Sequence, residues 1–79
     1  MDIDDFIEEV ESAYEKAYKQ GLDNIIIAID TDCGETYHIK EVKEGFQCDL
    51  WDYCFCDLYS VACDLYDEIS GTIVGVRVE

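Results

Sequence analysis

The sequence contains no proline, a single histidine and only five basic residues among its 79 residues. Twenty acidic residues face those five, so the formal net charge is −15. No apolar run approaches the roughly 20 residues that a membrane-spanning helix needs. Because nucleic acids and anionic membranes are themselves negatively charged, this charge opposes direct binding to either of them. We therefore expect no direct contact with nucleic acid or with a membrane, and we expect a basic protein surface or cations as the complement.

The length and the cysteine count limit the class of protein further. A chain of 79 residues has room for one domain, which we place over residues 1–79, and its 49% apolar content predicts a folded chain. Five cysteines are an odd number for a disulfide framework. The first residues, MDIDDF, are acidic where a secretory leader is basic. These features together predict reduced thiols and a cytoplasmic protein.

Two segments have the apolar periodicity of helices. Residues 2–20 have apolar residues three and four apart, with Tyr14 and Tyr18 on the apolar face, Asp2 as N-cap and Gly21 as a left-handed C-terminal residue. Residues 46–69 predict a longer central helix, around which we expect the chain to be organised. Its predicted core side contains Leu50, Cys54, Leu58, Val61, Ala62, Leu65 and Ile69, widened by Trp51 and Phe55.

Three further segments predict strands. The β-branched run over residues 24–30 and the alternating segment over residues 35–43 predict a hairpin, in which Gly34 takes a positive φ in a loop of three or four residues. Residues 72–78 predict the last strand, with its valines on one face. The resulting fold class is an α+β two-layer sandwich, α-β-β-α-β, with two helices on one face of a mainly antiparallel three-stranded sheet in the order 2-1-3. A sheet with the third strand beside the second is the main alternative.

The acidic residues of the first helix are closely spaced. Seven of them between residues 2 and 15 spread over about 20 Å at 1.5 Å per residue, which is one charge per roughly 3 Å. One strand of DNA has roughly 3.4 Å of helix axis per charge. Neighbouring like charges on a helix cost a few tenths of a kcal/mol per pair, so the arrangement suggests a role in binding. An acidic surface that serves only solubility is the alternative.

Catalytic and metal-binding motifs are not recognisable. The cysteines from Cys48 to Cys63 have the spacings Cx5C, CxC and Cx6C instead of the paired Cx2C of zinc sites. At the hairpin tip, Gly34 comes one position too early for an EF-hand loop. A pair of Cys33 and His38 has no third orienting group, and no glycine-rich phosphate loop exists. The sequence therefore predicts no enzyme, no cofactor and no metal.

The segments MDIDDFIEEV and NIIIAIDTDCGETYHIKEVKEG resemble the small acidic anti-CRISPR proteins of bacteriophages, especially the Cas9 inhibitors that act as DNA mimics. The resemblance covers about the first half of the chain. In that group, acids on a hairpin and a neighbouring helix occupy the site that reads the motif flanking the target DNA. The resemblance implies Asp30, Asp32 and Glu35 as the matching tip positions, a Cas effector as partner, and the host cell cytoplasm as location.

The leading hypothesis is therefore a small inhibitor that binds the basic nucleic-acid-binding surface of a partner. An immunity protein or antitoxin that neutralises a basic nuclease needs the same acidity, and a thiol or metal-binding protein is a third class. A homodimer through the tyrosine and cysteine side of the central helix is compatible with all three. The predicted partner-binding residues are Asp4, Glu8, Glu11, Glu15, Asp30, Asp32, Glu35, Asp49, Tyr53, Asp57, Asp64 and Asp67.

Overall fold

The computed structural model describes residues 1–69 and 71–79. It is an α+β fold with two helices and a four-stranded antiparallel sheet in the order β3-β2-β1-β4. The predicted central position of the first strand is confirmed, and the predicted count of three strands is wrong by one. The elements are α1 (Ile3–Lys19), β1 (Ile26–Thr31), β2 (Thr36–Val42), β3 (Gly45–Cys48), α2 (Leu58–Glu68) and β4 (Ile73–Val78).

Local hydrogen bonds define both ends of α1. The carboxylate of Asp2 accepts a hydrogen bond from the backbone N–H of Asp5 at 2.9 Å, as expected of an N-cap. At the other end Gly21 has a φ of 74°, and the N–H of Leu22 donates to the carbonyl of Ala17 at 3.2 Å. This is the Schellman arrangement, which needs a left-handed residue at the glycine position. The predicted helix is therefore confirmed to within one residue at each end.

Strands β1 and β2 form the predicted hairpin. They pair antiparallel and are joined by the four residues 32–35, in which Gly34 has a φ of 86°. Thr31 is buried at the end of β1, and both its N–H and its hydroxyl donate to the carbonyl of Glu35, at 3.1 and 2.8 Å. The turn is thus closed by bonds that use the polar side chain as well as the backbone.

Strand β3 and a loop replace the first half of the predicted central helix. The chain turns back after β2, so that β3 pairs with it antiparallel from Val42 opposite Gly45 onward. Phe46 then exchanges two backbone hydrogen bonds with Phe55, at 2.9 and 2.7 Å. Residues 49–57 therefore form a loop that returns along the outer edge of β3, and the prediction of a helix over residues 46–57 is wrong.

The side chains of this loop differ from the prediction accordingly. Leu50 is 43% exposed and Cys54 is exposed, although both were predicted to face the core. Trp51 and Phe55 are partly buried and pack against the core, as predicted. Because the segment is not helical, residues four apart do not lie on one side of it.

Helix α2 and strand β4 complete the fold. Asp57 caps α2, since its carboxylate accepts from the backbone N–H of Ser60 at 2.7 Å. In the pairing of β4 with β1 the register shifts, which leaves Val74 as an extra residue between the paired Ile73 and Gly75. The prediction that all valines of this strand share one face is therefore wrong for Val74, which is 62% exposed.

The core lies between the helices and one face of the sheet. The two helices run antiparallel, because Tyr66 near the end of α2 packs on Phe6 near the start of α1, with ring centroids 5.6 Å apart. We call the opposite side of the sheet, which includes Ala28 and His38, the open face, because neither helix packs there. The largest fully buried side chains are those of Phe6, Ile27, Ile29, Ile39, Leu65, Val10, Val61 and Cys48.

Candidate partner-binding surface

The outer side of the two helices has a strong negative charge. Counting the two N-caps, it contains eleven exposed acidic residues and two exposed lysines, a net charge of −9. Within the described part of the chain, a single ion pair joins members of this set, between Glu15 and Lys19 at 2.8 Å. We call this set the helical surface, and its acidic members are Asp2, Asp4, Asp5, Glu8, Glu9, Glu11, Glu15, Asp57, Asp64, Asp67 and Glu68.

Four acids of α1 form a row beside α2. We call Asp4, Glu8, Glu11 and Glu15 the acidic stripe; it extends over about 16 Å at 1.5 Å per residue. Tyr59 of α2, 58% exposed, lies close to it. A hydrogen bond with the thiol of Cys63 raises the pKa of Tyr59, and the carboxylates of Asp4 and Glu11 raise it further. The structure thus brings the predicted acids of α1 together with an exposed tyrosine of α2.

The stripe ends at a depression where α1 ends and α2 begins. Tyr14, Tyr18 and Leu58 line it together with Glu11 and Glu15, and we call these five residues the tyrosine depression. The two rings are stacked, with centroids 6.2 Å apart and planes at 30°. Tyr18 is 67% exposed, although its spacing placed it on the apolar face of the helix. The spacing alone contained no signal that this ring is uncovered.

Tyr14 is held in place from the core side. Its hydroxyl donates to the carboxylate of Glu41, which raises the pKa of Tyr14 to about 12. Its ring also meets the ring of Phe46 edge-on, with centroids 5.4 Å apart. One wall of the depression is therefore fixed by contacts with β2 and β3.

A second group of aromatic rings lies in the loop over residues 49–57. Trp51, Tyr53 and Phe55 are in mutual contact, with ring centroids 5.2 to 6.3 Å apart. Tyr53 is 55% exposed. Tyr53 and Asp49 were predicted to share the polar face of a helix with Asp57, Asp64 and Asp67, and this is wrong because both precede α2. The remaining three do belong to α2 and its cap.

The acid at the end of β1 is bound to other side chains of the protein. Asp30 accepts hydrogen bonds from Arg77 Nε at 2.9 Å and from the hydroxyl of Thr36 at 2.9 Å. These two bonds hold the pKa of the Asp30 carboxyl below its usual range, with the arginine as the larger cause.

The other two acids of the hairpin tip are bound internally as well. Asp32 accepts from the backbone N–H of Thr72 at 3.0 Å, and so joins the hairpin to the start of β4. Glu35 accepts from the hydroxyl of Tyr37 at 2.6 Å, which raises the pKa of Tyr37 to about 12. The three tip acids therefore have structural partners. Over residues 1–69 and 71–79, only Asp2, Asp57 and Glu15 among the acids of the helical surface have one.

The open face has nearly balanced charges. His38 lies between two carboxylates, with Nδ1 3.1 Å from Asp49 and Nε2 3.1 Å from Glu79. Hydrogen bonding to Asp49 is the main cause of a raised pKa of His38, and Glu79 adds to it. Lys40 and Arg77 lie on the same face. The only histidine is thus part of a network of ion pairs.

Sites for metals or membranes are not found in the part of the chain that the structure describes. No three histidine, cysteine or carboxylate side chains come together there in a way that could hold a metal ion. None of its helices combines the length and apolarity needed to cross a bilayer. Cys48 is buried, and its burial raises the pKa of the thiol to about 11, while Cys54 and Cys56 are exposed.

Comparison with known proteins assigns the chain to no family. No family model, no curated protein and no solved structure matches it. The resemblance to anti-CRISPR proteins therefore stays a prediction from the sequence. Function is argued below from the charge and geometry of the surface.

Proposed function

We propose that the chain is a small phage-encoded inhibitor, an anti-CRISPR protein that binds the basic nucleic-acid-binding surface of a Cas effector in place of DNA. The observation that carries the proposal is the helical surface, which contains eleven exposed acids and only two exposed lysines. A surface of this charge attracts a cationic channel at long range and speeds association with it.

The alignment of the acids supports binding over solubility. The spacings within the acidic stripe are four, three and four residues, so each acid has a like charge one turn away. Such pairs destabilise a helix by about 0.2 to 0.5 kcal/mol each. Solubility depends on net charge and does not require charges to be aligned on one rigid element. An interaction that uses the aligned carboxylates would offset this repulsion.

The spacing of the charges also supports mimicry of a DNA strand. The acids of α1 and its cap provide one charge per roughly 3 Å of helix, close to the roughly 3.4 Å per charge of a single strand. Lysine and arginine side chains that normally contact phosphates would meet carboxylates at similar intervals. Because these contacts are ionic and partly exposed, we expect the binding to weaken as salt concentration rises.

We propose the helical surface, and not the hairpin tip, as the main contact. Asp30, Asp32 and Glu35 already accept hydrogen bonds from groups of the protein itself. A partner arginine would have to share those carboxylates with their present donors. In the part of the chain that the structure describes, the acids of the stripe accept no such hydrogen bonds, apart from Glu15, which is paired with Lys19.

A competition experiment tests the proposal. A guide-loaded Cas9-type effector is bound to fluorescent target DNA, and displacement by the protein is measured over a salt series. We expect displacement that falls with salt and is lost, by about 100-fold or more, in a triple variant of the stripe, Asp4→Lys with Glu8→Lys and Glu11→Lys.

The matched control changes the same amount of charge elsewhere. Asp23→Lys, Glu44→Lys and Asp52→Lys reverse three exposed acids outside the helical surface. If this control loses as much activity as the stripe variant, the protein responds only to net charge and the proposed surface is wrong. Binding to a basic toxin nuclease, with no binding to Cas effectors, would support an immunity protein instead. Binding to neither class would overturn the proposal altogether.

A further inference from the structure

We propose that the tyrosine depression is an anchor site that receives one arginine side chain of the basic partner. The inference rests on the proposed function, and it adds the position and the chemistry of a single contact at the end of the acidic stripe. The depression combines two stacked tyrosine rings, an apolar floor and two carboxylates at its rim. Each of these parts corresponds to one part of an arginine side chain.

The rings and the floor fit the flat, weakly hydrated end of arginine. Tyr18 is 67% exposed, so its ring presents a large apolar area to a partner. Leu58 is only 8% exposed at the base. A guanidinium group stacks on an aromatic face by attraction to its π electrons and by dispersion, and its methylene stem packs on apolar side chains. A ring that is mostly exposed in the free protein is thereby covered in the complex.

The rim fits the charge and the hydrogen-bond geometry of arginine. Glu11 and Glu15 lie one turn apart beside the rings, and a guanidinium has five N–H donors in a planar fork that pairs with carboxylates. Glu15 is already paired with Lys19 at 2.8 Å, with side chains 66% and 73% exposed. Pairs this exposed contribute little because water and salt screen them, so an arginine that also stacks on a ring can displace the lysine.

The depression is preorganised on one side. Tyr14 is fixed by its hydrogen bond to Glu41 and by the edge of the Phe46 ring. Little side-chain freedom remains to be lost on binding at this position, which favours affinity. Aromatic side chains that are held in place and surrounded by charged groups are among the residues on which binding energy at interfaces concentrates.

Charge complementarity favours an arginine over a lysine or a second copy of the chain. A lysine ammonium is a compact, strongly hydrated point charge that gains less from a flat ring. A second copy seated on the depression would bring another helical surface, with net charge −9, against the first. The two glutamates belong to both the depression and the acidic stripe, so one partner surface can contact both.

The test uses the full chain with two probes of equal charge, the hexapeptides of arginine and of lysine. Affinities are measured by calorimetry at fixed salt, and contacts are located by NMR of the tyrosine rings. We expect the arginine peptide to bind about fivefold more tightly than the lysine peptide and to shift the ring resonances of Tyr14 and Tyr18.

Variants of the exposed tyrosines locate the effect. Tyr18→Leu keeps an apolar side chain without a π face, and we expect it to weaken the arginine peptide about fivefold and the lysine peptide less than twofold. Tyr18→Phe keeps the ring, and we expect it to bind as the parent protein does. Tyr53→Leu makes the same change on the aromatic loop, and we expect no effect. Circular dichroism establishes that each variant is folded.

Four results would overturn the anchor site. The first is an equal loss of affinity for both peptides in Tyr18→Leu, and the second is no loss of affinity in that variant. The third is a loss in Tyr53→Leu of the size expected for Tyr18→Leu, and the fourth is a dimer of the parent protein that Tyr18→Leu converts to a monomer.

A variant outside the depression, Asp4→Lys with Glu8→Lys, separates this inference from the proposed function. If that variant weakens both peptides while Tyr18→Leu weakens neither, the stripe binds cations and the depression does not. If it weakens neither peptide, the proposed helical surface fails.

Discussion

Both the helical surface and the open face of the sheet contain carboxylates, and the two sides use them differently. On the open face Asp30 is bound to Arg77, and Asp49 and Glu79 are bound to the ring of His38. On the helical surface the described ion pairs include only the one between Glu15 and Lys19. The acids of the open face therefore contribute to the fold, whereas most acids of the helical surface remain available to a partner.

This difference explains how a chain with a net charge of −15 can fold. The open face keeps Asp30, Asp49 and Glu79 in hydrogen bonds to charged or polar groups, and such bonds are stabilising. Most acids without partners lie on the helices, where their side chains extend into water. Dissolved salt screens the repulsion between these carboxylates. Stability and binding are thus served by different sides of the molecule.

The largest expected effect on stability comes from a substitution on the sheet side, at Gly45. Its φ is 142°, and a Cβ there would lie 2.1 Å from the carbonyl oxygen of Phe55. Gly45→Ala must therefore push the aromatic loop away from β3 as well as strain the backbone. We expect the free energy of unfolding to fall by about 3 kcal/mol, measured by urea denaturation.

Gly75 is the matched control for this substitution. It lies in β4 with an ordinary φ, and a Cβ there would have open space around it. Gly75→Ala should change the free energy of unfolding by no more than about 0.5 kcal/mol. Equal effects of the two substitutions would mean that the loop does not pack on Gly45 as described.

The second effect distinguishes acids within the helical surface itself. Asp57 caps α2, with its carboxylate 2.7 Å from the N–H of Ser60. This bond holds the pKa of its carboxyl below the usual range. Asp57→Ala should lower the free energy of unfolding by about 1 kcal/mol at pH 7, because a backbone donor loses its acceptor.

Asp64 on the same helix provides the comparison. It is exposed and is not a cap residue. Asp64→Ala should change stability by less than about 0.5 kcal/mol, by thermal melting of both variants side by side. A loss at Asp64 as large as that at Asp57 would contradict the view that only the caps among these acids support the fold.

Much of this arrangement could be predicted from the sequence, because local chemistry and periodicity agreed. Asp2 and Gly21 marked the ends of α1, and the run of isoleucines predicted the central strand. A hairpin loop of three or four residues with Gly34 at positive φ was also predicted, and the loop has four. In these segments each residue satisfies its own backbone preference and the tertiary fold at once.

The central segment was mispredicted because two periods compete in it. Leu50, Cys54 and Leu58 are four apart and suggested a helix, whereas Trp51, Tyr53 and Phe55 are two apart and are β-forming residues. The second pattern corresponds to the structure, in which those three rings contact one another beside β3. Deciding between the patterns required the backbone pairing of β3 with β2 and the close approach of Gly45 to Phe55, neither of which the spacing of apolar residues shows.

The tyrosine depression could not be predicted for a related reason. Spacing along α1 showed that Tyr14 and Tyr18 lie near the apolar face, and it could not show where that face ends. The antiparallel placement of α2 puts Leu58 beside the rings and leaves Tyr18 uncovered. The position of an exposed ring at the edge of an apolar face depends on the length and direction of the neighbouring helix.

A smaller effect, of opposite sign, is expected within the acidic stripe. Glu8 has like charges at Asp4, four residues away, and at Asp5 and Glu11, each three residues away. Glu8→Gln removes these repulsions, so we expect the free energy of unfolding to rise by about 0.5 kcal/mol at low salt and by less at high salt. Glu15→Gln is the control, because it also removes the ion pair with Lys19 and should gain less. A loss of stability in Glu8→Gln would mean that this acid supports the fold.

The smallest effect is expected on the open face, at His38. Its pKa is raised, first by hydrogen bonding to Asp49 and also by Glu79, so the folded state binds the proton more tightly than the unfolded chain does. The contribution is complete below pH about 6.5, the ordinary value for histidine, and is lost as the pH rises through the raised folded value. Melting temperatures of the parent protein should therefore fall from pH 6 toward pH 8, and His38→Gln should remove the part of the fall that comes from His38.

The effect should be smaller than the effects at Gly45, Asp57 and Glu8. Because the His38 side chain is 32% exposed, solvent screens its pairs with the two carboxylates. A parent protein that becomes more stable over this range, with His38→Gln unchanged, would show that the two carboxylates do not hold a charged ring.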